Sequence, residues 1–269
     1  MGLNSRVFAE NRQKNIVEYV NQRQSVTVSE LVEYCGVSPA TIRNDLHDLA
    51  KAGSLKRTHG GAVSLQSVMS ATESSINGIA EATNKSKAQL SINEKRSIAQ
   101  RALDYIQDND SIMLDAGTTT LELARLLGRY QHLNVITYDL DIAHYLTHNT
   151  NVNVFFAGGH VRADLFYCDS YETSDFLQRF KVTLSFLSAN GVSLVGGLTS
   201  ASPETQGIKR ILIENSQQAI LLADSSKLGK TAFYRFGDLE QVNILITDEN
   251  ADPVFIQEAM SRGISVNKG

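Results

Sequence analysis

Cysteine is scarce in this 269-residue sequence, and long apolar runs are absent. The two cysteines, Cys35 and Cys168, form no C-x-x-C pair. A structural zinc site takes about four ligands, so this usage excludes a thiolate-rich metal site and indicates two reduced thiols. No segment approaches the ~20 apolar residues of a membrane helix, and the sequence starts without an apolar signal region. These absences predict a soluble, cytoplasmic protein that uses no metal, no cofactor and no membrane.

Neither sign of charge dominates the sequence, whose formal net charge is −4. That value excludes a protein that coats nucleic acid along its whole length. The charge is uneven, because residues 1–63 carry eight basic and six acidic side chains whereas the remainder is acidic on balance. The length suits one large domain, or a small domain followed by a medium one. The basic excess at one end is a weak indication of a DNA-binding head.

Helical periodicity is the main feature of the first sixty residues. Apolar residues recur at helical spacing in the first twenty positions, and Ser29 is placed to cap a second helix that ends at Gly36. A third helix is predicted to begin at Ser38-Pro39, because the serine hydroxyl accepts a free N–H and proline suits the first helical position. Two helices joined by a glycine turn form the helix-turn-helix pattern.

The third helix and the segment that follows it carry side chains that can contact DNA. Polar and basic side chains of these types reach phosphates and base edges. The predicted DNA-binding residues are Ser38, Thr41, Arg43, Asn44 and His47 on the helix, and Lys56, Arg57 and His59 on a β-ribbon wing over 55–63. One alternative is a winged helix used for protein contacts. Another is that Asn44 and His47 are solvated surface residues without a base contact.

Residues 64–91 differ in composition from their surroundings. They are rich in Ser, Ala, Thr, Asn and Gln, lack proline and show no sustained periodicity. This composition predicts a linker, with an ordered dimerisation helix as the alternative. The predicted domains are therefore a winged helix-turn-helix over 1–63, a linker over 64–91 and a second domain over 92–269.

Strand and helix patterns alternate in the second domain. Strands are predicted at 111–114, 134–137, 152–156, 182–187, 219–223 and 242–247, and helices at 94–106, 121–127, 142–146, 207–216 and 253–262. Alternation of this kind predicts an α/β fold with a mostly parallel sheet. Ligands of such sheets bind beyond the carboxyl ends of the strands.

The turn at Asp115-Ala116-Gly117-Thr118-Thr119 links a predicted strand to a predicted helix. Gly117 permits a tight turn. The threonine hydroxyls and the N–H groups of the helix start can hold an anion such as phosphate. A plain capped turn is the alternative.

Three further loops follow predicted strands. Thr137 begins the first, and Gly158 and Gly159 occupy the second, where the backbone could approach a ligand closely. Ordinary turn chemistry explains these two loops equally well. Lys227 lies in the third loop and is a compact cation suited to phosphate, although a lone loop lysine is usually solvated.

These segments resemble a known family. Val28-Ser29-Glu30-Leu31, the run from Val37 to Leu46 and the run from Leu55 to Ala62 resemble the DNA-binding signature of the DeoR family of transcriptional regulators, with Asn44 where the family usually has a second arginine. The loops above, in their order, resemble the sensor domain of that family, together with Gly197-Leu198-Thr199, Lys209-Arg210 and the run from Leu245 to Asp248.

The resemblance implies a sensor fold similar to ribose-5-phosphate isomerase, with a sugar phosphate as effector. It also implies an effector site lined by Asp115, Gly117, Thr118, Thr119 and Lys227, with Lys209 as a further candidate.

Catalytic machinery is not predicted. Isomerases of that fold need a carboxylate within reach of the substrate carbon, and the comparable strand end at 188–192 has none. His144 and His148 are spaced i, i+4 without an obvious third metal ligand. Two alternatives stay open. One is a sugar-phosphate isomerase-like or CoA-transferase-like enzyme with a DNA-binding head, and the other is a DNA-binding scaffold with a vestigial pocket.

The sequence as a whole predicts a DNA-binding transcriptional regulator and not an enzyme. In more detail, we expect a repressor of a carbohydrate-utilisation operon that binds double-stranded operator DNA as a homo-oligomer, a dimer or tetramer. A phosphorylated sugar is expected to release it from the DNA or to modulate it, with activation as the alternative outcome.

Overall fold

The computed structural model describes residues 2–23, 25–51, 54–57, 61–63, 87, 90–163 and 165–269. The chain divides into two compact units, Met1–Asn77 and Gly78–Gly269. Most of the predicted linker over 64–91 lies outside the described residues. The predicted domain boundaries therefore stay predictions.

The described part of the first unit is a three-helix head with a small antiparallel sheet. Its elements are α1 (Gly2–Arg23), β1 (Ser25–Thr27), α2 (Val28–Cys35), α3 (Pro39–Lys51), β2 (Lys56–Arg57) and β3 (Gly61–Val63). The strands lie in the order β1-β3-β2. This arrangement is a winged helix-turn-helix, and it confirms the predicted fold of the head.

Capping residues set the helix boundaries in the head. Thr27, and not Ser29, caps α2: its side chain accepts the Glu30 N–H while the Glu30 carboxylate accepts the Thr27 N–H at 2.7 Å. The prediction of Ser29 was therefore wrong by two residues, because the capping-box pair at 27 and 30 was overlooked. Gly36 ends α2 in the left-handed conformation, at φ 65°, and Ser38 accepts the Thr41 N–H at 3.2 Å.

An apolar core joins the three helices of the head to its sheet. Its buried members are Ile16, Val20, Val26, Leu31, Ile42, Leu46, Leu49, Leu55 and Ala62. Gly61 packs closely beside this core, because a Cβ atom there would lie 1.9 Å from the Val26 carbonyl oxygen. Only glycine allows β3 to approach β1 so closely.

In the second unit, the helices and strands whose bounds the structure describes start at Ile92. Its helices are α4 (Ile92–Ala102), α5 (Thr118–Ala124), α6 (Leu140–Asn149), α7 (Tyr171–Gln178), α8 (Gln206–Glu214) and α9 (Pro253–Ser261). Its strands are β4 (Ser111–Leu114), β5 (Asn134–Thr137), β6 (Asn153–Phe156), β7 (Val161–Arg162), β8 (Tyr167–Cys168), β9 (Val182–Ser188), β10 (Gly191–Ser193), β11 (Gly197–Ser200), β12 (Ser216–Leu222), β13 (Tyr234–Gly237), β14 (Ile244–Thr247) and β15 (Ser265–Lys268).

A parallel sheet with the order β15-β14-β12-β9-β4-β5-β6 forms the centre of this unit. One face buries Met113, Ile136 and Leu221 against α7, α8 and α9, and the other buries Ile112, Val135 and Ile220 against α4, α5 and α6. Alternate residues of each strand thus enter opposite cores. This three-layer architecture confirms the predicted α/β class with its parallel sheet.

Several elements were not predicted from the sequence. β15 extends one edge of the parallel sheet, β10, β11 and β13 form a small antiparallel sheet, and β7 and β8 form a hairpin. Strands of two to four residues give too short a pattern for alternation to be recognised.

Candidate DNA-binding surface and effector site

Helix α3 presents its predicted contact residues to solvent. Arg43, Asn44 and His47 are exposed, whereas Ile42 and Leu46 are buried beneath them. The helix therefore separates a core face from a polar face, as a recognition helix requires. Ser38 and Thr41 lie at its start, with their hydroxyl oxygens 2.9 Å apart.

The wing is described in part. Lys56 and Arg57 form β2, whose backbone pairs with Ala62 and Val63 of β3. His59 lies outside the described residues, so its predicted DNA contact stays a prediction.

A charged pair that sequence reasoning missed fixes α3 to α1. Arg12 Nε donates to Asp45 Oδ2 at 2.6 Å, and its Nη2 donates to Oδ1 at 3.1 Å. Gln13 adds a third donor at 3.2 Å. Asp45 is 4% exposed, so the pair is a partly buried, bidentate clamp on the recognition helix.

Asp115 and Lys209, two of the effector candidates, meet where the sheet reverses its strand order. From β4 the chain adds β5 and β6 on one side, and then β9, β12, β14 and β15 on the other. The carboxyl ends of β4 and β9 are therefore neighbours at the topological switch point, where ligands of open α/β sheets bind. Asp115 follows β4, and Ser188 ends β9.

Asp115 is the centre of a buried polar cluster at this point. Its carboxylate accepts the Ser188 N–H and the Ser188 hydroxyl, both at 2.8 Å, as well as the hydroxyl of Tyr138. The ammonium of Lys209, which α8 supplies, forms an ion pair with the same carboxylate and donates to the Ser188 carbonyl at 2.9 Å. We call Asp115, Tyr138, Ser188 and Lys209 the switch-point cluster.

The switch-point cluster is shielded from solvent. Asp115 and Tyr138 are fully buried, and Lys209 is 5% exposed. Burial and the neighbouring carboxylate raise the pKa of Tyr138 well above its usual range, so the phenol stays a proton donor. The structure thus brings together two predicted effector residues, Asp115 and Lys209. Tyr138 and Ser188 were not among the predicted effector residues.

The turn over 115–119, which we call the threonine turn, lies directly beside this cluster. Gly117 has φ 157°, and a Cβ atom there would lie 3.1 Å from Ser188 Oγ. Its N–H donates to Asp139 Oδ2 at 3.2 Å, so one donor of the predicted anion loop is already engaged. Thr118 is partly exposed, whereas Thr119 is buried.

Thr137 has a structural role in this arrangement. It is fully buried, and its hydroxyl donates to the Leu114 carbonyl at 3.0 Å while accepting the Asp139 N–H at 3.2 Å. Asp139 in turn caps α6 by accepting the Ile142 N–H at 3.0 Å. Burial raises the pKa of Asp139 to about 7, so its charge changes near neutral pH beside the threonine turn.

The paired glycines pack against the start of α7. A Cβ atom on Gly159 would lie 2.2 Å from Ser170 Oγ, and Gly159 has φ 145°. The Gly158 carbonyl accepts the Thr173 hydroxyl at 2.8 Å. These contacts account for Gly159 as a tight-turn residue, which was one of the two explanations left open by the sequence, whereas a Cβ atom on Gly158 would meet only Phe156 at 3.9 Å.

Lys227 lies at the same edge of the sheet, after β12. It is half-buried, and in the described part of the chain no carboxylate pairs with its ammonium. The turn faces Lys95 of α4, whose ammonium interacts electrostatically with Asp224 and Lys227 and also with Glu122 of α5. The threonine turn after β4 and the Lys227 turn after β12 therefore lie at the same edge of the sheet, with β9 between their strands. The cation that contacts Asp115 is Lys209 and not Lys227.

A cavity of about 320 Å³ opens elsewhere, at the amino ends of β4, β9 and β12. Lys181 and Glu214 are among its lining residues. It lies at the edge opposite to the switch-point cluster, and ligands of open α/β sheets bind at the carboxyl edge. The switch point is therefore the candidate effector site.

Among the described residues, no three His, Cys, Asp or Glu side chains form a group that could hold a metal ion. His144 and His148 stack with ring centroids 4.4 Å apart on α6. No helix in the described ranges has the length and apolar content needed to span a bilayer.

A winged helix-turn-helix head followed by an α/β domain is the organisation of a DNA-binding transcriptional regulator, and the chain belongs to the DeoR family. Residues 12–68 match the DeoR-like helix-turn-helix domain, and residues 90–249 match the DeoR C-terminal sensor domain. The HTH-type transcriptional regulator YulB of Bacillus subtilis is 35% identical over 95% of each chain. The glycerol-3-phosphate regulon repressor of Escherichia coli is 30% identical over 93% of this chain and 94% of the relative.

Similarity to solved structures is weaker. Ribose 5-phosphate isomerase A from Methanocaldococcus jannaschii has 18% identity and a TM-score of 0.37, over 50% of this chain and 53% of that one. Membership of the regulator family, and not this likeness, decides the class: the chain is a regulator and not an enzyme. At the end of β9, where the sequence itself has no carboxylate, the Asp115 carboxylate lies beside Ser188 and is paired with Lys209.

Proposed function

We propose that the protein is a repressor of a carbohydrate-utilisation operon that leaves its operator when a phosphorylated sugar binds at the switch point. The observation that carries this proposal is the switch-point cluster, in which the sensor domain buries a charged pair at the ligand-binding edge. A buried ion pair contributes little net stability compared with apolar residues. Its position at this edge supports a role in ligand recognition.

The polar groups at this edge suit a sugar phosphate. The groups of the switch-point cluster are buried and paired with one another, whereas Lys227 is half-buried and has no carboxylate partner in the described residues, which suits a phosphate dianion. Thr118 adds a partly exposed hydroxyl at the same edge. The name of one relative, a repressor of the glycerol-3-phosphate regulon, supports a phosphate ester as the ligand class.

The DNA-binding half of the proposal assigns α3 to the major groove. Arg43, Asn44 and His47 face the bases or phosphates, and Lys56, Arg57 and His59 of the wing contact the backbone. A homo-oligomer, dimer or tetramer, would place its heads on half-sites about 34 Å apart or a multiple of that spacing. Binding to chromosomal DNA assigns the protein to the cytoplasm.

The effector changes DNA binding only if it binds one arrangement of the heads more tightly than the other. A thermal-shift screen of the full chain against phosphorylated and unphosphorylated sugars tests the sensing half, because a ligand that binds the native state raises its Tm. We expect a rise with at least one phosphorylated sugar and none with the free sugar. A Tm that no phosphorylated sugar changes would contradict the proposal.

The matched variant for DNA binding is Arg43→Ala. We expect weaker operator binding and a shallower salt dependence, with the effector-induced Tm shift unchanged. Operator affinity that survives this substitution would count against α3 as the recognition helix.

A further inference from the structure

Arg162 lies on the β7–β8 hairpin, which is attached to the segment after β5. The Leu140 N–H donates to the Phe166 carbonyl at 2.8 Å, and the Cys168 N–H donates to the Tyr138 carbonyl at 3.0 Å. Tyr138 belongs to the switch-point cluster. The hairpin therefore stands on the β5 side of that cluster.

A second segment approaches the cluster from the β9 side. Asn190 follows β9, and its side-chain oxygen accepts the Ala201 N–H at 3.1 Å while its own N–H donates to the Thr199 carbonyl at 2.9 Å. Glu204 lies three residues further on, in a 3-10 turn that leads directly into α8. Helix α8 carries Lys209 of the switch-point cluster.

An ion pair joins the two segments. Arg162 Nη1 lies 3.7 Å from Glu204 Oε1, and the two side chains are 38% and 42% exposed. Because β4 lies between β9 and β5 in the sheet, the pair joins two segments that are attached on the two sides of β4. The carboxyl end of β4 leads into Asp115 and the threonine turn.

The Arg162 guanidinium has two acidic neighbours, but both contacts are long. Asp169, whose side chain is 5% exposed, lies 3.6 Å from Arg162 Nε and 2.9 Å from His160 Nδ1. Both acidic neighbours of Arg162 lie beyond the usual hydrogen-bond distance of about 3.2 Å or less. Among the residues that the structure describes, no acceptor lies within that distance of the guanidinium, so its donors can take a better acceptor.

We propose that Arg162 is a second anion-binding residue of the effector site, and that Glu204 holds it until a phosphate monoester replaces the carboxylate. This inference rests on the proposed function. A phosphate monoester carries nearly two negative charges at neutral pH and matches the guanidinium fork in a bidentate manner. It therefore competes well with a carboxylate at 3.7 Å, and its arrival frees the turn ahead of α8.

The test compares the two members of the pair. The full-length protein is titrated with inorganic phosphate at constant ionic strength, and binding is followed by the rise in Tm. Glu204→Gln is expected to tighten phosphate binding about two- to fivefold, the factor that corresponds to an ion pair of this exposure. Arg162→Ala is expected to weaken binding about tenfold or more, and Arg162→Lys by less.

Glu258→Gln is the matched control, because Glu258 pairs with Arg262 at 3.2 Å on an exposed surface elsewhere. It should leave phosphate binding unchanged. Arg162→Lys preserves the charge and keeps the test valid if Arg162→Ala does not fold.

Opposite effects from two members of one ion pair are the result that the inference requires. If Glu204→Gln weakens phosphate binding as Arg162→Ala does, or if neither changes it, the pair is structural and the inference fails while the proposed function stands. If the Tm of the wild-type protein responds to neither inorganic phosphate nor any sugar phosphate, both fail.

Discussion

Asp115 and Lys209 form a buried ion pair although they are 94 residues apart in the chain. The turn after β4 supplies the carboxylate and α8 supplies the ammonium. The pair therefore couples the threonine turn to the helix that follows the Glu204 turn.

Removing one partner of this pair should destabilise the sensor domain. Lys209→Met leaves the Asp115 carboxylate buried without its cation, a change that costs about 3–5 kcal/mol in comparable sites. The double variant Asp115→Asn/Lys209→Met should cost less than the sum of the single variants, because it leaves no uncompensated charge. Urea unfolding of the three variants measures this. Strictly additive losses would show that the two side chains do not interact.

Asp139 makes the free energy of unfolding depend on pH below about 7. Burial raises its pKa from an ordinary 3.8 to about 7, so the folded state binds the proton more tightly than the unfolded state. The stability that this group contributes is complete below the unfolded pKa and is lost as the pH rises through 7. The loss is about 4 kcal/mol across that window, because the two pKa values differ by about three units and each unit corresponds to about 1.4 kcal/mol.

The control for Asp139 is Asp139→Asn, which preserves the cap of α6 because asparagine also accepts at that position. We expect the difference in unfolding free energy between wild type and variant to change between pH 5 and 8. A difference that stays constant over this range would contradict the assignment.

Lys95 produces the opposite slope at higher pH. It is 5% exposed, and its ammonium donates to the backbone carbonyls of Lys87 and Leu90. Burial lowers the pKa of Lys95 from 10.5 to about 8, so the folded state loses its proton first and stability rises between pH 8 and 10.5. Urea unfolding of wild type and Lys95→Met at pH 7.5 and 9.5 measures this. The stability of the wild type should rise relative to that of the variant, and an unchanged difference would contradict the assignment.

The Arg12–Asp45 clamp should stabilise the DNA-binding head without contacting DNA. Asp45→Ala leaves Arg12 without its bidentate acceptor, and the expected loss is about 1–3 kcal/mol. Asp48→Ala on the same helix is the control, since Asp48 is exposed and should cost under about 0.5 kcal/mol. Thermal unfolding followed by far-UV circular dichroism separates the two variants. Equal effects of Asp45→Ala and Asp48→Ala would contradict the role of the clamp.

Much of the fold was predictable because local signals coincide with it. The predicted strands at 111–114 and 134–137 match β4 and β5, since each is a short apolar run followed by turn residues. Pro39 and Gly36 mark their helix boundaries through fixed backbone preferences. β15 was missed because Ser265–Lys268 contains one apolar residue and lies at a sheet edge, where side chains need not be buried.

The candidate site was predictable in its loops but not in its pairing. Asp115 and Lys227 follow strands, so their position at the carboxyl edge could be inferred from the alternation of elements. Which lysine meets Asp115 depends on how α8 packs on the sheet, and no local pattern shows that for Lys209. Asp45 was missed for a similar reason, since its partner is 33 residues away in the chain.

In the proposed function, a phosphate ester at the switch point releases operator DNA. Fluorescence anisotropy tests this release directly. Labelled operator DNA bound to the full-length protein is titrated with the sugar phosphate found by thermal shift. Wild-type protein should release the DNA, whereas Lys227→Ala should bind the operator normally and retain it at the same ligand concentration. Release from Lys227→Ala at the wild-type concentration, or wild-type protein that stays on DNA when saturated with ligand, would contradict the account.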